Sequence, residues 1–135
     1  MRLSESHIEI LICFIRYVSK AGFLILCLAA FYYSLSDLKH PPIEAISWDK
    51  INHCLGYFCL VLFFDLAFVT GRQLPAKSAA VFSYGLILEI VQYFLPYRQF
   101  SFFDAVANAM GIIAFLIFWR ELQKSTLYQR LRHAG

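Results

Sequence analysis

The sequence predicts an all-α polytopic membrane protein: a bundle of four transmembrane helices behind an N-terminal amphipathic interfacial helix. Three observations predict it. The chain is 60% hydrophobic and only 16% charged, against about 45–50% and about 25% in an average soluble domain. Four apolar runs approach the roughly 20 residues needed to cross a hydrocarbon core of about 30 Å. Short polar connections separate the runs, and short connections make antiparallel neighbours. This composition excludes disordered, collagen-like, coiled-coil and disulfide-knit chains and argues against an ordinary soluble enzyme. The 135 residues make one domain, and a net charge of +3 gives no reason to expect a nucleic-acid partner.

Residues 6–16 open the chain. Ile8, Leu11, Ile12 and Ile15 share one helical face and Glu5, Glu9 and Arg16 another, so a helix lying on the inner membrane surface is expected. Ser6 and Glu9 fit a capping box at its start. The first span is Tyr17–Leu35, with Lys20 able to snorkel. The second is Trp48–Val69, stopped by Gly71. Pro75 opens the third, Pro75–Leu95, and Pro96 closes it. Ser101 is the expected N-cap of the fourth, Phe102–Trp119. Residues 120–135 form a basic tail. Cys13, Cys27, Cys54 and Cys59 lie in apolar segments without CxxC spacing and are expected to be small buried hydrophobes.

The cations orient the bundle. Arg2, Arg16, Lys20, Arg72, Lys77, Arg120, Lys124, Arg130 and Arg132 belong to one side, and Lys39, Lys50 and Arg98 to the other. Nine against three predicts that both termini are cytoplasmic. The expected location is the bacterial cytoplasmic (inner) membrane. Anionic lipid accounts for the basic tail.

An ionisable group inside a bilayer costs about 2.5–3.5 kcal/mol on insertion scales, so each one asks for a reason. At 1.5 Å per residue, His53 lies roughly 8 Å below the outer surface, Glu89 about 9 Å and Gln92 about 5 Å. Asp104 lies about 5 Å and Asn108 about 10 Å down. Asp49, His53 and Tyr57 form one stripe; so do Glu89 with Gln92, and Asp104, Asn108 and Gly111. Stripes at one depth can converge. Gly85 and Gly111 would let the third and fourth helices approach closely, and Arg98 would hang above the cluster. Asp65, near the inner end of the second helix, reads as an interfacial partner of Arg72 or Lys77; no comparable inner cluster is expected.

Asp49-Lys50-Ile51-Asn52-His53-Cys54-Leu55-Gly56-Tyr57 resembles the DKxxHxxxY element of VanZ-like membrane proteins. Gly85 to Gln92 resembles their GxxxExxQ element. Arg98, Ser101, Asp104, Asn108 and Gly111 resemble their RxxSxxDxxxNxxG element. The resemblance covers roughly Trp48–Phe118 and implies a role in the cell envelope, with an effect on susceptibility to the glycopeptide teicoplanin.

Each residue also has a plainer reading. Asp104 with Ser101 could simply cap a helix. Glu89 could be an internal partner of Arg98, Lys50 or His53, or a protonated carboxyl bonded to Gln92. Gln92 and Asn108 could join helices. Tyr57, Tyr93 and Tyr97 suit core or belt positions. Three functions remain open. In the first, Asp49, Lys50, Tyr57, Gln92, Arg98 and Asn108 bind an anionic membrane lipid, or the headgroup of a lipid-linked cell-wall precursor. In the second, His53, Glu89 and Asp104 perform acid–base catalysis on such a substrate. The third is a small transporter or flippase component. No cofactor is expected; a divalent metal held by His53, Glu89 and Asp104 is conceivable, but HxxxH and HExxH patterns are absent and no metal site is assigned.

Overall fold

The computed structural model describes residues 5–36, 44–69, 73–98 and 101–133. The expected loops at 36–47, 70–74 and 96–101 fall partly outside the described residues, as do Arg2, Lys39, Pro41, Pro42 and Arg72. The described chain is five α-helices: α1 (Glu5–Leu35), α2 (Glu44–Ala67), α3 (Leu74–Tyr93), α4 (Phe102–Leu122) and α5 (Thr126–His133). α1, α3, α4 and the Trp48–Ala67 part of α2 are long and apolar enough to cross a membrane.

The local signals act where the sequence puts them. Pro75 sits in the first turn of α3, where a missing N–H costs nothing. Ser101 caps α4, its Oγ accepting from the Asp104 N–H at 3.3 Å. One expectation is corrected. Residues 6–16 are not a separate interfacial helix but the first turns of α1, which runs unbroken for 31 residues. Nothing between Arg16 and Tyr17 breaks a helix, so the amphipathic and apolar stretches fuse. Ser6 therefore lies inside α1 and is not its N-cap. At 1.5 Å per residue α1 is roughly 46 Å long, so about a third of it projects beyond a hydrocarbon core. The apolar face of that projection is used: Ile12 packs with Val69 and Leu131, beside Ile8 and Ile15.

α2 is the central helix, packed mainly on α4 and α1. α1 and α3 run one way and α2 and α4 the other, because the C-terminal ends of the first pair meet the N-terminal ends of the second around one cavity and ion-pair network. The core is Tyr57, Leu60, Val61, Leu74, Val81, Ile112 and Phe115. Leu24, Leu28, Ile51, Leu55, Ile87, Ile90, Met110, Ile113 and Ile117 are more than half exposed. Such a surface suits an apolar solvent.

The glycines do not act between α3 and α4, as expected, but against α2. A Cβ at Gly111 would lie 2.0 Å from the carbonyl oxygen of Cys54, so the α4 backbone rests on that of α2. A Cβ at Gly85 would meet the Tyr57 hydroxyl at 2.5 Å. The helix with the most neighbours needs the small residues opposite it.

Candidate functional site

The end of the bundle that holds the α2 and α4 N-termini is polar. Lys50 on α2 is hydrogen-bonded to Asp104 on α4 and, at 3.0 Å, to Asp49. His53 Nδ1 is 2.9 Å from Asn108 Oδ1, and its Nε2 is 3.8 Å from Asp49 Oδ1. The i, i+4 spacing of Asp49 and His53 and of Asp104 and Asn108 turns these two stripes toward each other. The stripes meet where Gly111 brings the helices together.

The C-terminal end of α1 is held from α3 and the segment after it. A helix leaves its last four carbonyls without intrahelical partners. Arg98 donates from Nη2 to Tyr33 O at 2.6 Å and to Ser36 O at 2.8 Å, and from Nε to Ser36 O. Gln92 donates to Ser34 O at 3.2 Å, and the Tyr97 hydroxyl to Leu35 O at 3.1 Å. A guanidinium there also complements the negative end of the helix dipole. Arg98 thus has a structural task that its sequence position did not disclose. Gln92 and Asn108 join helices, as one of their readings has it.

Glu89 is 2% exposed. Among the described residues its partner is neither Gln92 nor a cation: the Ser101 N–H donates to Oε2 at a long 3.4 Å. It lies within electrostatic range of His53, Lys50 and Asp49.

A cavity of about 460 Å³ opens between α1, α2 and α3. Asp49, His53, Glu89, Gln92 and Arg98 line its polar part; Leu26, Leu60 and Leu88 line its apolar part. It follows one face of α2 from Asp49 to Leu60, roughly 16 Å along the axis. Lys50, Asp104 and Asn108 stand behind His53 and Asp49, outside this lining. Tyr57 is buried and borders the cavity, while Tyr93 is exposed.

Asp49, His53 and Asp104 bring possible metal-ligand atoms within 4.8 Å of one another. The Lys50 ammonium bonds both carboxylates and already neutralises much of their charge, so the group reads as an ion-pair network.

The opposite end holds a cluster the sequence did not reveal. Asp65 pairs with Lys77, one of its expected partners, at 2.9 Å, and the pair is buried, at 4% and 5% exposure. Lys77 also donates to Phe68 O. The Tyr128 hydroxyl donates to Asp65 at 2.5 Å and accepts from Trp119 Nε1 at 2.8 Å. Burial, and then the bond to Asp65, push the Tyr128 phenol up, which keeps it a donor. Tyr128 and Leu131 form the buried face of α5, Arg16 donates to Leu131 O, and Arg130 pairs with Glu5. The spacing of Leu127, Tyr128 and Leu131 was the available signal, and the surrounding basic residues masked it.

These features define a polytopic helical protein with a half-polar, half-apolar cavity at one end and a covered ion pair at the other. Over 122 residues the chain is 35% identical to the uncharacterized protein C11E3.10 of Schizosaccharomyces pombe, covering 84% of this chain and 72% of that one. The chain belongs to the same family as that fungal protein. No family model and no solved structure matches the chain.

Proposed function

We propose that the protein spans a lipid bilayer and binds the headgroup of a membrane lipid in the cavity at its polar end. One observation carries this reading: the cavity is polar where it meets the helix ends and apolar toward the middle of the bundle. That gradient matches an amphiphile, with its head among His53, Glu89 and Arg98 and the start of its chain against Leu26, Leu60 and Leu88. The volume lies within the roughly 300–1,000 Å³ of ordinary ligand pockets. The excess of cations on the other side supports cytoplasmic termini and an outward-facing cavity. The motif resemblance to VanZ-like proteins supports an envelope role. The S. pombe relative is fungal, so the proposal concerns a lipid bilayer and not a bacterial inner membrane in particular.

The environment of His53 favours a second reading, acid–base catalysis on the bound lipid. Asn108 holds one ring nitrogen, leaving the other edge toward Asp49 and the cavity. A ring oriented by a neighbouring amide, beside a carboxylate, is what a general base needs. His53→Gln separates the readings. A binding protein should keep lipid affinity within about tenfold. An enzyme should lose about a hundredfold or more of its turnover on a lipid extract. Wild-type protein that retains no lipid in native mass spectrometry refutes both.

A further inference from the structure

We propose that the bound headgroup is a zwitterion, a phosphate joined to a protonated amine, and that Glu89 holds the amine. This rests on the lipid-binding reading above and assigns the ligand's charge. An anionic headgroup follows from the sequence if Lys50 and Arg98 both face it. In the structure they do not. Lys50 is held between Asp49 and Asp104 and lies outside the lining. Arg98 borders the cavity but uses Nε and Nη2 on the carbonyls of α1. Among the described residues the lining therefore includes two acidic side chains, Asp49 and Glu89, against one guanidinium.

Glu89 is the less satisfied of the two. Asp49 has Lys50 beside it. Glu89 is more deeply buried, and among the described residues its only hydrogen bond is the long one from Ser101. A carboxylate accepts about four hydrogen bonds, and an ionised one at this burial calls for a cationic partner. An ammonium brings three N–H donors and a positive charge. A headgroup carrying only negative charge would meet Glu89 and Asp49 with repulsion. A trimethylated amine keeps the charge but has no N–H to donate. Among the described lining residues, the remaining guanidinium edge of Arg98 is the permanent cation for a phosphate.

The test uses the full-length protein purified in detergent and titrated with short-chain phosphatidylethanolamine, phosphatidylcholine and phosphatidylglycerol, followed by native mass spectrometry. Dodecylamine is a fourth arm, which separates a free amphiphilic amine from a phospholipid. Phosphatidylethanolamine should bind about tenfold or more tightly than each of the other three. Glu89→Gln should remove that preference and tighten phosphatidylglycerol binding, because one repelling carboxylate is gone; a wild-type circular-dichroism spectrum reports that the variant is folded. Phosphatidylglycerol binding as tightly as phosphatidylethanolamine overturns the proposal. So does a Glu89→Gln variant that keeps the preference, and dodecylamine equalling phosphatidylethanolamine overturns the phosphate half. If Glu89→Gln does not fold, the wild-type ranking decides alone. Wild-type protein that binds none of the four overturns the lipid-binding reading itself.

Discussion

Adding one methyl group at Gly111 tests the packing that assembles the polar end. The new Cβ would stand 2.0 Å from Cys54 O, 2.9 Å from its carbonyl carbon and 3.1 Å from Phe58 N. Ordinary contact begins near 3.4 Å, so α2 and α4 must separate by about 1.4 Å at this level. The obstacle is backbone, which cannot rotate aside as a side chain can. Two interactions cross the same interface within two turns of Gly111, Lys50 to Asp104 and His53 to Asn108. Overpacking alone costs about 1–3 kcal/mol; Gly111→Ala should fall at the upper end or beyond, because both polar contacts lengthen with the helices. Gly56 is the internal control, since a Cβ there meets nothing within 4 Å. Gly56→Ala should be neutral or stabilising by up to about 1 kcal/mol through helix propensity. Both variants are compared with wild type by thermal unfolding in one detergent, followed by circular dichroism. Equal midpoints for Gly111→Ala and Gly56→Ala would refute the close approach of α2 and α4.

The tail end gives two further tests. Lys77→Met leaves Asp65 buried without its cation and should cost about 3–5 kcal/mol. Adding Asp65→Asn should recover most of that, since an amide still accepts from Tyr128; a Lys77→Met midpoint at the wild-type value counts against the buried pair. Tyr128→Phe removes the bonds to Asp65 and Trp119 and should cost about 1–3 kcal/mol. Limited proteolysis reads it: the bonds of α5 should be cut faster than in wild type, and unchanged protection would mean that Leu131 and Arg130 hold the helix without the hydroxyl.

Several features were legible because they are local. The rise of a helix is constant, so the depths of His53, Glu89 and Asp104 follow from counting, and the structure gathers these residues at one end. Ser101 caps α4 through a contact with a residue three positions on, which sequence spacing alone describes. Other features depend on partners far along the chain. The glycine spacing shows that some backbone comes close at Gly111, but rotation of α4 about its axis selects α2 and not α3. Arg98 looks like a free cation in a loop; only the position of the α1 C-terminus makes it a cap. The sequence offers Lys77 as a partner of Asp65, but nothing local shows that α5 covers the pair. An eight-residue helix is too short to be stable alone and forms here on the surface that buries Tyr128 and Leu131.

The sequence by itself determined that the chain makes helices long and apolar enough for a bilayer, and which polar residues share a level. Composition and the 1.5 Å rise suffice for that, because both are properties of single segments. The tertiary structure decided which of those residues face the cavity and which are held behind it. It placed Glu89 at the lining with one long hydrogen bond and turned Lys50 away into a pair of carboxylates. That choice depends on how the helices rotate and how closely they approach, and those are set by packing between segments that no single segment encodes.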